Sequence, residues 1–527
     1  MPLTATALLL GLALAACRPE PAPAQADATL AKTPAPAGDA TPAPALVEAP
    51  RREAPPLPDR IDWVVAGGGA WPADNQVSIE DDVAEAVARL GPEGGALLYA
   101  GGVNTRGVQV SRDPGDDGGA DRLMLLLGDL FDPRAGRYAT YRPTRLSPHA
   151  AATSQALLTY VGEALAVEGS GPATVYLAGH GEPGQTPATT LFTLWGGDAL
   201  SPPDLAKALA GAARPARVVV TSCHSGAFAD IVFEDADADA GLPAPGDVVH
   251  CGLFAATWDR PSSGCDPDPD RRAHEGYGVH FLHALAGQDK LGQPLPLATL
   301  DLDGDGAVSL LEAHTRVRVA SRGFDVPTTT SERWLRHAAP ATPDAPTIAV
   351  ELPAERAVVA ALTADGALPA HRQALRRSVA RVGKEIDALD ARYRAAAEAE
   401  ALAVDRVGAE VLGRWPALGD PWHPDFARTL GDERAAIEAF FRTSPRYLDY
   451  LDAREQVDEV TRRRDALTLE LAPLLRLSRA LDNLALAGRL AAAGGPAWRR
   501  FEALRACERG PLRPAPPAPR EPPEDPR

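Results

Sequence analysis

Two short strings carry residues able to do nucleophilic chemistry: TVYLAGHGEPG, with His180, and RVVVTSCHSGAF, with Cys223. Each is a β-branched apolar run that stops at small residues and then presents a reactive side chain, the pattern of a buried parallel strand ending at a site. A thiol attacks only as thiolate and has a free pKa of about 8.5, so it needs a neighbouring imidazole to take its proton. If both strands lie in one parallel sheet, their carboxyl ends open on one edge, and His180 and Cys223 meet there despite their separation in the chain. The backbone amides of Gly181 and Cys223 would face a developing oxyanion, and glycines at 179 and 181 let a substrate approach the main chain. The expected chemistry is acyl transfer. Either residue alone usually serves structure, as a small buried hydrophobe or a satisfied turn histidine. Finding both at strand ends favours the pair, and leaves His224 to structure or substrate contact.

A second motif, DLDGDGAVSLLE, spans Asp301 to Glu312. Carboxylates at loop positions one, three and five, glycine at six, a hydroxyl at nine and glutamate at twelve match the calcium-loop pattern. Asp301, Asp303, Asp305 and Glu312 are expected to ligate a structural Ca2+ by side chain, Ala307 by its carbonyl, and Ser309 directly or through water. The incoming flank LGQPLPLAT is broken by proline, so a lone loop opening one helix is expected, not a paired EF-hand. The competing reading is an acidic turn capping the helix SLLEAHTRVRVA. No organic cofactor is expected.

The elements that must position these residues alternate between strand and helix signals across residues 59–338, which predicts an α/β sheet with helices on both faces. Strands are expected at Trp63–Ala66, Ala96–Ala100, Leu123–Leu127, Thr174–Ala178, Arg217–Thr221 and Val248–Ala255. Helices are expected at Ser78–Leu90, Ala152–Ala166 and Pro203–Ala212, with Ser78 and Ser201 as starts. After a Pro/Thr/Ala-rich linker at 339–354, residues 355–510 turn to Ala, Arg, Glu and Leu. Leu375, Val379, Val382, Ile386, Leu389, Tyr393 and Ala396 form one heptad seam, and Val457, Val460, Leu467, Leu471, Leu474 and Leu481 another. A helical hairpin or small bundle follows, offering a face to a helical partner or a cover for the cleft. Residues 511–527 are expected to be a disordered Pro-rich tail.

On these blocks the chain resembles the caspase-like clan of cysteine peptidases, and within it the legumain family, which includes the catalytic subunit of glycosylphosphatidylinositol transamidase. The resemblance covers about half the chain, near residues 60–325. DWVVAGGGAW looks like the family's first strand and turn, YLAGHG and CHSG like its catalytic blocks, and FAATWDRPSSGCDPDPDRRAHEGYGVHFLHAL like its post-nucleophile strand, loop and aromatic helix. The resemblance implies a caspase-like sheet, with His180 as general acid/base, Cys223 as nucleophile and Glu275 near an acidic pocket position. Where the family places an Arg-His pair after its first strand, this chain has Asn75 and Gln76, which weakens the case for asparagine specificity. Glu275 suits a basic P1 side chain, or is a solvated loop carboxylate.

At the amino terminus ALLLGLALAAC is too short to span a bilayer and closes on small residues, as signal peptides do. Leu14 to Cys17 resemble a bacterial lipobox, so residues 1–17 are expected to direct export, with lipid on Cys17 anchoring the chain to a membrane of the cell envelope. Residues 18–58 form a Pro/Ala tether without a core. A formal net charge of -18 over 527 residues disfavours nucleic acid as a partner. Of the five cysteines, Cys251 and Cys265 are the expected pair for one disulfide, or two free thiols. Together these features predict a lipid-anchored cysteine endopeptidase acting on protein or peptide substrates through an acyl-enzyme. A transamidase or ligase using the same dyad and a non-catalytic scaffold at the membrane are the alternatives.

Overall fold

A computed structural model describes residues 51–91, 93–111, 122–131, 139–167, 171–239, 248–342, 345–369, 371–419 and 423–512. The leader, Cys17, the tether through residue 50 and the tail from residue 513 lie outside the described residues.

The chain begins with β1 (Trp63–Gly68), α1 (Val77–Leu90), β2 (Gly95–Tyr99), β3 (Val108–Ser111), α2 (Arg122–Phe131), β4 (Ala139–Arg142) and α3 (Ser154–Leu165). Next come β5 (Ala173–Gly179), β6 (Gly181–Glu182), β7 (Leu191–Leu194), β8 (Asp198–Leu200), α4 (Pro202–Leu209), β9 (Ala216–Val220) and β10 (Cys251–Phe254). They are followed by α5 (Tyr277–Leu285), α6 (Leu310–Ala320), β11 (Thr328–Thr329), α7 (Thr330–Ala338) and α8 (Pro353–Thr363). The rest is helical: α9 (Arg372–Arg414), α10 (Phe426–Asp432), α11 (Arg434–Thr443), α12 (Pro445–Ala493) and α13 (Gly495–Glu508).

Six strands form the central sheet in the order β11-β10-β9-β5-β1-β2. Every pairing is parallel except β10 with β11. Runs such as VVA and VVV suit these strands because helices cover both faces. Val64 and Ala66 pack with Leu157, Val161 and Leu205 on one side. Val65 packs with Val83, Phe281 and Ala313 on the other. The chain places β2 on one flank of β1 and β5 on the opposite flank, so the topology switches between β1 and β5. The carboxyl ends of strands at such a point open a crevice.

Expected strands and helices in this half fall on β1, β2, β5, β9, β10, α1, α3 and α4, with shifted ends. Leu123–Leu127 is a correction. It lies in α2, and Leu123, Leu127 and Leu130 share a cluster with Val407, Val411 and Phe440. Ser201 caps α4 in a capping box with Asp204. Ser78 is no cap, because its hydroxyl donates to Gly264 O (2.8 Å) and accepts from Asp266 N (2.8 Å).

The two seams face each other. Leu375, Val382 and Ile386 meet Leu471, Leu474 and Leu477, Leu389 and Tyr393 meet Val460, and Val407 and Val411 meet Tyr447 and Tyr450. Contacts that run forward on α9 and backward on α12 define an antiparallel hairpin. Its C-terminal continuation is stitched to the sheet. Cys251 at the start of β10 is bonded to Cys507 in α13, with Cα atoms 6.0 Å apart. The Cys251–Cys265 pairing is therefore corrected. Cys251 lies at the amino end of its strand, whereas the Cys265 Sγ lies 3.9 Å from Gly179 O at the carboxyl end of β5. The expected tail also starts too early, since Leu512 is a core residue. Thr174 Oγ1 donates to Leu512 O (2.9 Å), an Arg217 guanidinium N–H to Pro511 O (2.6 Å) and Leu310 N to Gly510 O (3.0 Å). At the other end, Arg52 of the expected tether is docked on Asn104 and Thr144. Among the described residues no helix is long and apolar enough to cross a membrane.

Candidate active site

His180 and Cys223 are each the third residue past the paired Leu177 and Val220 at the carboxyl ends of β5 and β9. Both are buried. Their backbones converge so closely that a Cβ on Gly181 would lie 2.0 Å from the Cys223 carbonyl oxygen. Only glycine fits after the histidine.

The ring of His180 is oriented by the loop that follows β1. Its Nε2 lies 2.7 Å from Asp74 O and 2.9 Å from Gln76 Oε1. A carbonyl oxygen only accepts, so Nε2 carries the proton and Nδ1 is the basic nitrogen of the neutral ring. The turn bearing Asp74 is fixed in turn, its carboxylate accepting from Ala70 N (3.2 Å) and Trp71 N (2.8 Å).

Cys223 is bracketed by the loop after β10. Ser262 N donates to Sγ (3.3 Å), and the thiol donates to Ser262 O at 3.6 Å. An N–H aimed at sulfur complements negative charge there. The next residue, His224, adopts φ 58°, in the left-handed region where non-glycine residues are strained. Its Nδ1 pairs with Trp258 O (2.9 Å) and its N–H with Arg260 O (2.8 Å), so it is structural. The strained turn sends the chain sharply into a 3₁₀ segment, Ser225–Val232, and holds Cys223 at the strand end.

The amide of Gly181 is not used by the β6–β7 pairing. Thr193 N donates to His180 O (3.0 Å), which makes Gly181 and Phe192 the intervening non-hydrogen-bonded pair and leaves the Gly181 N–H outside that ladder.

Of the expected pocket residues, Asn75 is corrected. Asn75 is fully buried: its Oδ1 accepts from Gly69 N (3.2 Å) and Tyr99 OH (3.0 Å), and its Nδ2 donates to Gly107 O (3.0 Å). It is a knot beneath the site, not a pocket wall. Gln76 orients His180. Glu275 is enclosed by Lys290, by His280 Nε2 (3.0 Å) and by Arg322 N (2.9 Å). Burial alone would raise its carboxyl, but hydrogen bonds from His280, Lys290 and Arg322 outweigh that and hold the pKa at about 2. Its charge is matched within the fold.

Sequence reasoning missed Asp325 and Arg476. Asp325 is fully buried and accepts from Ser262 Oγ (2.8 Å) and Ser263 N (2.6 Å), so it anchors the loop touching Cys223. Burial raises its carboxyl to about 7. Arg476 reaches out of α12 and donates to Asp325 O (2.6 Å), Ser321 O (2.7 Å) and Gly323 O (2.7 Å). The helical hairpin thus braces the loop that touches Cys223.

In the acidic loop, side-chain oxygens of Asp301, Asp303 and Asp305 lie within 4.8 Å of one another. Burial and the charges of Glu312 and Asp305 raise the Asp303 carboxyl. A divalent cation would relieve that repulsion, and hard oxygen donors suit Ca2+. Glu312 folds back onto the loop: Oε1 accepts from Leu302 N (2.6 Å), and Oε2 accepts from Ser309 N (2.8 Å) and Ser309 Oγ (2.8 Å) in a capping box for α6. Comparison with protein-family models, curated proteins and solved structures found no match.

Proposed function

We propose that the chain is a cysteine endopeptidase of caspase-like fold, related to legumain-type peptidases. The supporting observation is that His180 and Cys223 follow the paired ends of β5 and β9 on one rim of the sheet, with Asp74 O holding Nε2 so that Nδ1 is the basic nitrogen. In the cycle His180 accepts the thiol proton and the Cys223 sulfur bonds to the peptide carbonyl carbon, placing negative charge on oxygen near the Gly181 and Cys223 amides. As the C–N bond breaks, His180 returns the proton to the leaving amine. Water, deprotonated by His180, then attacks the thioester and restores the thiol. Incubation of the full chain with a peptide library tests this. Cleavage by the wild type that vanishes in Cys223→Ala is expected, and equal turnover by both overturns the mechanism.

Two further parts of the proposal concern setting. Lipid on Cys17 would anchor the chain to a bacterial membrane, which fatty-acid analogue labelling of wild type against Cys17→Ala tests. Asp301, Asp303 and Asp305 would hold a structural Ca2+ with the Ala307 carbonyl. Calorimetry is expected to give sub-millimolar affinity that Asp303→Ala abolishes.

A further inference from the structure

A cleft of about 130 Å³ lies against His180 at the switch point. Its wall combines the turn after β1 (Ala70, Trp71, Asp74) with residues of β6, β7 and β8, notably Glu182, Leu191 and Thr193. Neither Cys223 nor Ser262 lines it. The thiol meets Ser262, whereas His180 is among the residues that line this cleft. The group that protonates a leaving amine must touch it, so the cleft that His180 itself lines lies on the amine side of a bound peptide.

The chemistry of its wall is one-sided. Three acidic residues line it, Asp74, Glu182 and Asp198, and no lysine or arginine does. Asp74 and Asp198 are bonded to neighbouring backbone amides and Ser154, and neither makes an ion pair among the described residues. Burial pulls the Asp198 carboxyl up, but the Ser154 hydrogen bonds outweigh it and keep the pKa below the usual range, so the group stays ionised. Glu182 makes no ion pair among the described residues. Trp71 is 48% exposed, and its indole lies over Gly197, where a Cβ would sit 3.1 Å from the ring. Gly196 N donates to Ala70 O (2.8 Å), tying the two walls together. An aromatic face beside acidic residues without a cationic partner attracts an ammonium or guanidinium group.

We infer that this cleft is the subsite for the residue on the amine side of the scissile bond and that it takes a cationic side chain, lysine or arginine. The inference rests on the peptidase reading, and its test has one arm independent of turnover. In the first arm, full-length Cys223→Ala is titrated with Nα-acetyl-lysinamide and Nα-acetyl-norleucinamide, followed by the tryptophan indole N–H signals in NMR. The lysine compound is expected to bind about tenfold more tightly. That preference should fall several-fold in Glu182→Gln and again when Trp71→Ala is added. Equal binding of the two compounds overturns the subsite. In the second arm, wild type cleaves a randomised decapeptide library and the new amino termini are sequenced. Enrichment of lysine and arginine that Glu182→Gln removes supports the subsite, and cleavage without enrichment overturns it. Absence of cleavage, or cleavage that survives Cys223→Ala, overturns the peptidase reading while the titration still decides the cleft.

Discussion

Replacing Arg476 by methionine tests whether the helical hairpin supports the site. The guanidinium is 2% exposed and donates to three backbone carbonyls, those of Ser321, Gly323 and Asp325. Each carbonyl left buried without a donor costs roughly 1–3 kcal/mol. Part of that loss is offset, because methionine packs well and no charge remains to be buried. Burial already lowers the arginine pKa to about 10, against the pull of Asp325. A net loss of about 3 kcal/mol is expected from denaturant unfolding. The same change should loosen the loop from Ser321 to Asp325, then Ser262, then the cover over Cys223. Alkylation of the thiol by iodoacetamide under native conditions should accelerate about tenfold. The pH dependence gives a second readout. The Asp325 carboxyl is raised from 3.8 to about 7, so the folded state binds the extra proton between these values. Its contribution to stability is therefore present in full below about pH 4 and is lost as the pH rises through about 7. Asp325→Asn should remove that slope. A loss under about 1 kcal/mol with unchanged alkylation would refute the bracing role.

Three other outcomes are expected. Glu275→Gln should lower stability by about 1–2 kcal/mol at neutral pH. With its folded pKa near 2, the wild-type advantage is present above about pH 4.5 and lost as the pH falls through about 2, which acid titration of unfolding checks. Cys507→Ser should cost about 2–5 kcal/mol in non-reducing denaturation, and dithiothreitol should bring the wild type to the same level. Gly181→Ala should abolish peptide cleavage, since its methyl meets the Cys223 carbonyl at 2.0 Å, while Gly162→Ala, which meets nothing within 4 Å, serves as the control.

The sheet was legible because buried parallel strands must be apolar throughout, and β5 and β9 end where glycine and a reactive side chain appear together. The stretch from Leu123 misled because MLLL reads as a strand in isolation. Its spacing of 123, 127 and 130 is helical, and it packs on α9, far away in sequence. The heptads of α9 and α12 were legible for the converse reason, being local and repeated. Pairing of Cys251 with Cys507 had no sequence signal, since chain distance does not limit which cysteines meet once the C-terminal helix folds back. Asn75 was placed in the right loop and given the wrong task, and the contact of Gln76 with His180 was not foreseen. Polar residues after a strand read alike whether they face a substrate, a histidine ring or a buried tyrosine. Arg476 sits in a helix rich in arginine, and only its burial singles it out.

Leu512 lies in the same core layer as Val65 although 338 residues separate it from its partner Thr174. A nascent chain emerging from the ribosome therefore carries an open seam along the sheet until residues 510–512 have been made. Until then the apolar floor beneath β5 and β9 stays available to other chains, so synthesis from the amino terminus leaves an extended interval in which aggregation competes with closure.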